Sequence, residues 1–125
     1  MSLPPVNQIP EMPMVVVRGE ALVLGKVRMT NAARETLAYP GHSATLEVWS
    51  SPGGGAPAGL LYTAAPGECV LDTDTGIIAV HVPGSKTALW AFTRARGVLK
   101  RLGPGAASRT LLRLLLEVQP PRGVR

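Results

Sequence analysis

Residues 69–92 read CVLDTDTGIIAVHVPGSKTALWAF, and the rest of the chain is understood from this stretch outward. Cys69 to Leu71 is a short apolar run. Asp72 to Gly76 is turn chemistry: aspartate side chains accept nearby backbone N–H groups, and Gly76 is free to take a positive φ. Ile77 to Val82 is rich in β-branched residues, which suit a pleated surface. Pro83 and Gly84 end that run, because proline cannot donate to a sheet ladder. The stretch predicts a strand, a tight turn, a second strand, a corner and a third strand.

The flanking sequence supplies more strands. Met14 to Val17 is a short apolar one, and Arg18-Gly19-Glu20 marks a bend. Ala21 to Thr30 alternates imperfectly, as a strand with a bulge near Gly25 does. Asn31 to Leu37 fits one helical turn or a loop. Ser43 to Ser51 alternates cleanly, with Ala44, Leu46 and Val48 opposite Thr45, Glu47 and Trp49. Trp49 is then either core or partner-facing. Ser51 to Gly59 is a glycine-rich loop tip, followed by a short strand from Leu60 to Ala64.

Ala88 to Leu102 mixes helix formers with a two-residue alternation of Trp90, Phe92, Arg94 and Arg96 against Leu89, Ala91, Thr93 and Ala95. Gly97 would weaken a helix interior by about 1 kcal/mol, so the strand reading is preferred. Arg109 to Gln119 reads as its partner strand, although Leu111 to Leu116 taken alone also fits a buried helix. Short strands with turns every 8 to 12 residues or so predict an all-β, antiparallel Ig-like β-sandwich of about seven to eight strands. Leu46, Val48, Ile77, Val80, Trp90, Leu114 and Leu116 are expected to supply much of its core.

Residues 1–13 carry four prolines and predict an extended arm, mobile or laid along a neighbouring subunit. Leu3, Val6, Ile9 and Met12 recur every third residue, the period of a polyproline helix. The sandwich is expected over 14–120 and a basic tail over 121–125.

With 125 residues there is room for one core. Charged residues are only 17%, below the usual quarter or so, which favours extensive interfaces. The net charge of +5 is uneven. Residues 86–125 hold nine basic groups and a single acid, Glu117, whereas residues 1–85 hold four basic groups and seven acids. Readers of nucleic acid interleave aromatics with basic residues to stack bases. Here the nearby aromatics, Trp90 and Phe92, read as core; of nucleic acid, lipid headgroups, an acidic partner protein or a solvated basic face at a subunit contact, the last is the preferred reading of the basic third. No stretch approaches the 18 or so apolar residues of a membrane span, and no signal peptide is recognised. A single cysteine leaves no internal disulfide and fits an intracellular or cytosol-assembled protein.

Candidate chemistry is thin. His42, Ser43 and His81 lack any mark of an activated nucleophile. Two histidines and one cysteine lack zinc-site spacing. Asp72 and Asp74 echo the start of a calcium loop without its later ligands, so they read as turn formers. The glycine-rich tip lacks the lysine of a phosphate-cradling loop. Cys69 reads as an inert buried thiol. No enzyme, cofactor or metal is expected.

The order of elements resembles small β-sandwich virion proteins of tailed bacteriophages, including the N-terminal domain of phage baseplate upper proteins. The resemblance is carried by Arg18-Gly19-Glu20 at a strand start, Leu46 to Ser50, the glycine tip Gly53 to Gly55, the unit Leu71 to Pro83, the step Thr87 to Phe92, and the closing strand Thr110 to Val118. It implies a virion component assembled in the host cytoplasm, as a homo-oligomer or in many copies in a symmetric assembly, meeting capsid, tail or fibre subunits. A tail, baseplate or fibre-attachment role is expected. The alternatives are a capsid decoration protein and a cellular ligand-binding sandwich. Leu3, Val6, Ile9, Met12, Arg94, Arg96 and Arg122 are the expected assembly contacts.

Overall fold

The hairpin at the centre of the sequence forms as its residues dictate. In the computed structural model, which describes residues 9–28, 40–50, 58–103 and 108–121, β5 (Cys69–Asp72) pairs antiparallel with β6 (Ile77–Val82). Asp72 Oδ1 accepts the backbone N–H groups of Asp74 at 3.0 Å and Thr75 at 3.3 Å. Gly76 closes the turn at φ +70°, a region that L side chains avoid. Of the two aspartates, Asp72 is the one whose carboxylate builds the turn.

The other strands are β1 (Glu11–Val17), β2 (Leu22–Arg28), β3 (Ser43–Ser50), β4 (Leu60–Thr63), β7 (Arg94–Leu102) and β8 (Ser108–Gln119), with one helical turn, α1 (Gly84–Thr87). They make two sheets, one ordered β1-β8-β7-β3-β4 and the other β2-β6-β5. Strands β2, β5 and β6 facing β3, β4, β7 and β8 is the division of an immunoglobulin-like sandwich. The fold is all-β, as the alternation predicts.

Between the sheets lies one core. Leu46, Val48, Leu99 and Leu114 from the large sheet meet Leu22, Ile78, Val80 and Val82 from the small one, all nearly or completely buried. Ile78 takes the core position expected of Ile77, because β6 buries its even-numbered residues. In β2 the register shifts between Leu24 and Lys26. Leu22 and Leu24 point inward before this bulge and Val27 packs on the core after it, so the extra residue at Gly25 switches the phase of the alternation.

Two features depart from the sequence reading. First, β1 begins at Glu11, so part of the expected arm is strand. It pairs with β8 in parallel, unlike the purely antiparallel sheets expected. Arg113 N–H donates to the Pro10 carbonyl at 2.9 Å and Arg18 N–H to the Gln119 carbonyl at 3.0 Å. This phase turns the even-numbered amides of β1 toward β8 and leaves Pro13, which has no N–H, on the free edge where proline is tolerated.

Second, the strand expected from Ala88 begins at Arg94; residues 84–87 form the helical turn and 88–93 a corner. Trp90 is nevertheless 5% exposed and belongs to the core. The reason is local. Thr87, fully buried, accepts the Gly19 N–H at 3.1 Å and donates to the Glu20 carbonyl at 2.8 Å. Arg18 donates through Nε to the Trp90 carbonyl and through its guanidinium to the Phe92 carbonyl at 2.9 Å. Arg18 thus satisfies the Trp90 and Phe92 carbonyls that a ladder would otherwise take, and bonding to β8 reaches only the last corner residue, where the Thr93 carbonyl accepts the Val118 N–H at 2.8 Å.

The strand reading preferred for the two closing segments is borne out over 94–102 and 108–119. The reading of 31–37 and most of the glycine-rich tip fall outside the described residues.

Candidate functional site

The five-stranded sheet has one face on the core and one face outward. On β7 the residues Ala95, Gly97 and Leu99 are buried, so Arg94, Arg96, Val98 and Lys100 face out. On β8 Leu114, Leu116 and Val118 are buried, so Arg113, Leu115 and Glu117 face out. Register then brings residues from all five strands into one row. Pro13 lies opposite Leu115, Leu115 opposite Arg96, Arg96 opposite Trp49, and Trp49 opposite Leu60. Leu60 is 51% exposed and Leu115 43%.

The next row sets Val15 and Arg94 on either side of Glu117, with Val15 53% exposed. An open depression of about 360 Å³ lies here, lined by Arg94, Ala95, Arg96, Leu115, Leu116 and Glu117.

Arg94 and Arg96 make no ion pair or side-chain hydrogen bond among the described residues. Glu47, one row further, is already occupied. Its Oε1 accepts Lys100 Nζ at 2.8 Å and Trp49 Nε1 at 3.1 Å. The hydrogen bond from Lys100 leads in holding the Glu47 carboxyl below its ordinary value, against a smaller opposing effect of burial. Trp49 is therefore half-buried on the outer face, tethered to Glu47, and is not a core residue.

The inward side holds a second polar group. Glu68, 8% exposed, accepts the Tyr62 hydroxyl and the Ala65 N–H at 2.9 Å, and Lys86 Nζ lies 3.7 Å from its other oxygen. Burial alone would raise the Glu68 carboxyl; the Tyr62 hydroxyl, the Ala65 amide and Lys86 together outweigh it, and the net shift is downward. Burial, reinforced by Glu68, raises the Tyr62 phenol. Tyr62 also meets Trp90 edge-on at 5.3 Å, and Trp90 stacks on Phe92 at 5.3 Å. This group fastens the β4–β5 connection to the corner after α1, a structural duty.

Of the contacts expected from sequence, Arg94 and Arg96 share the outer face. Met12 does not join them: it packs against the core of its own chain, and Ile9 is half-buried just ahead of β1. Leu3, Val6 and Arg122 lie outside the described residues. His42 precedes β3 in the large sheet, while His81 sits exposed on β6 of the small one. Among the described residues no three His, Cys, Asp or Glu side chains gather as a metal site would need. Cys69 is buried, and burial pushes its thiol up to about 11.

Leu115, Val15 and Leu60 were not expected as surface residues. The signal lay in Leu111 to Leu116, an apolar run broken only by Arg113. A strand whose leucines continue through both phases has no solvent face of its own. No family model matches the chain, and no curated protein matches it.

Proposed function

We propose that the chain is a structural virion protein of a tailed bacteriophage, a non-enzymatic assembly component of the tail, baseplate or fibre-attachment region. The observation that carries this reading is the row Pro13, Leu115, Arg96, Trp49, Leu60 across the outer face of the large sheet. A lone domain gains nothing by presenting these apolar side chains, set on either side of Arg96, to water, whereas a subunit in an assembly buries them. The low charge content agrees with this, and the ordered resemblance described above directs it to phage particles. In that role the chain meets neighbouring tail, baseplate or fibre subunits and needs no cofactor.

Particles purified from an induced culture of the strain that carries the gene provide the test. Mass spectrometry is expected to find the chain at fixed stoichiometry, and immunogold labelling to place it on the tail. Its absence from particles would overturn the reading, and label confined to the head surface would transfer it to a decoration role. Leu115→Asp is expected to fold and to drop out of the particles.

A further inference from the structure

We infer that the outer face of the large sheet docks an acidic protein segment, one that presents carboxylates together with apolar side chains. The inference rests on the reading of this face as an assembly surface and adds the chemistry of the partner. In the row described above, Arg96 stands directly between Trp49 and Leu115. Any partner that covers Leu115 also covers Arg96. A guanidinium taken out of water without a counter-ion is costly, so the partner must supply one. Among the described residues the chain does not pair this guanidinium: both register neighbours of Arg96 are apolar, Glu47 on the adjacent row is committed to Lys100 and Trp49, and Glu117, opposite Arg94, makes no ion pair with Arg96. Arg94, two residues away at the rim of the depression, stands opposite Glu117 and makes no ion pair among the described residues. A planar guanidinium takes a carboxylate in a two-pronged geometry, which fixes orientation as well as charge.

Nucleic acid would also satisfy the arginines, but it offers nothing to Pro13, Val15, Leu60 and Leu115. A second copy presented face to face carries the same arginines and the same glutamates, so it brings no surplus of carboxylates.

The full chain is titrated with a short capped peptide of alternating leucine and glutamate, with its leucine–lysine counterpart, and with a duplex DNA oligonucleotide. Amide chemical shifts map the contact. The acidic peptide is expected to bind and to shift Arg94, Arg96, Leu115 and Glu117. The double variant Arg94→Glu, Arg96→Glu, with an unchanged circular dichroism spectrum, is expected to weaken it about tenfold or more, the worth of one lost charge-assisted contact. Equal binding of the lysine peptide, indifference to the double variant, preferential DNA binding with a steep salt slope, or concentration-dependent self-association through this face would each overturn the inference. The particle assay with Leu115→Asp judges the assembly reading separately. If that variant is excluded from particles while the acidic peptide fails to bind, the face assembles but its partner is not acidic.

Discussion

The Cβ that Gly84 lacks would stand 2.2 Å from the carbonyl oxygen of Gly19 and 2.8 Å from its carbonyl carbon. The first residue of α1 thus lies directly against the turn between β1 and β2. Both contacts are backbone, so no side-chain rotation relieves them. Gly19 itself sits at φ +86°, which limits how far that turn can yield.

Gly84→Ala is therefore expected to destabilise the fold by about 1–3 kcal/mol, the usual cost of overpacking. Denaturant unfolding measures it. A change below about 0.5 kcal/mol, the level of an ordinary surface substitution, would show that the two segments part freely.

Trp90 presents two separable quantities. Its ring fills the core between Tyr62 and Phe92, while its Nε1, fully buried, has no hydrogen-bond partner among the described residues. Trp90→Ala is expected to cost about 3–5 kcal/mol. Trp90→Phe loses ring volume but also removes an unsatisfied donor, whose burial costs about 1–3 kcal/mol. It is expected to cost much less than the alanine variant. Equal losses for the two variants, read from the same unfolding curves, would mean that the indole N–H is not a liability.

Glu68 links stability to acid. Its folded carboxyl lies below the ordinary value of 4.5, so ionised Glu68 contributes stability above that pH. This contribution is lost as pH falls through the folded value. Glu47 acts in the same direction through Lys100. Glu68→Gln is expected to lower the melting temperature at neutral pH and to flatten its fall on acidification, leaving the share due to Glu47. Parallel wild-type and variant curves between neutral and strongly acid pH would remove Glu68 from the acid response.

Much of the sandwich was legible before any coordinates. Alternation in Ser43 to Ser51 and the turn at Asp72 to Gly76 are properties of consecutive residues; β3 forms over Ser43–Ser50 and the turn forms as read. The start of β7 was not legible. The alternation continues smoothly from Leu89 through Trp90 and Phe92, yet ladder pairing is displaced there by Arg18 and Thr87, whose partners are distant in sequence. The outer face was half legible: Arg94 and Arg96 stand out as charges, whereas Leu115 and Leu60 resemble core residues until the sheets are assembled.

Period, β-branching and turn residues act between neighbours along the chain, so the sequence alone determined that this protein is a β-sandwich with its strands nearly in place. Register and sheet order join residues that have no local relation. Only the tertiary structure could therefore decide that β1 runs parallel to β8, that Gly84 rests on Gly19, and that Arg96 stands between Trp49 and Leu115 on an open face.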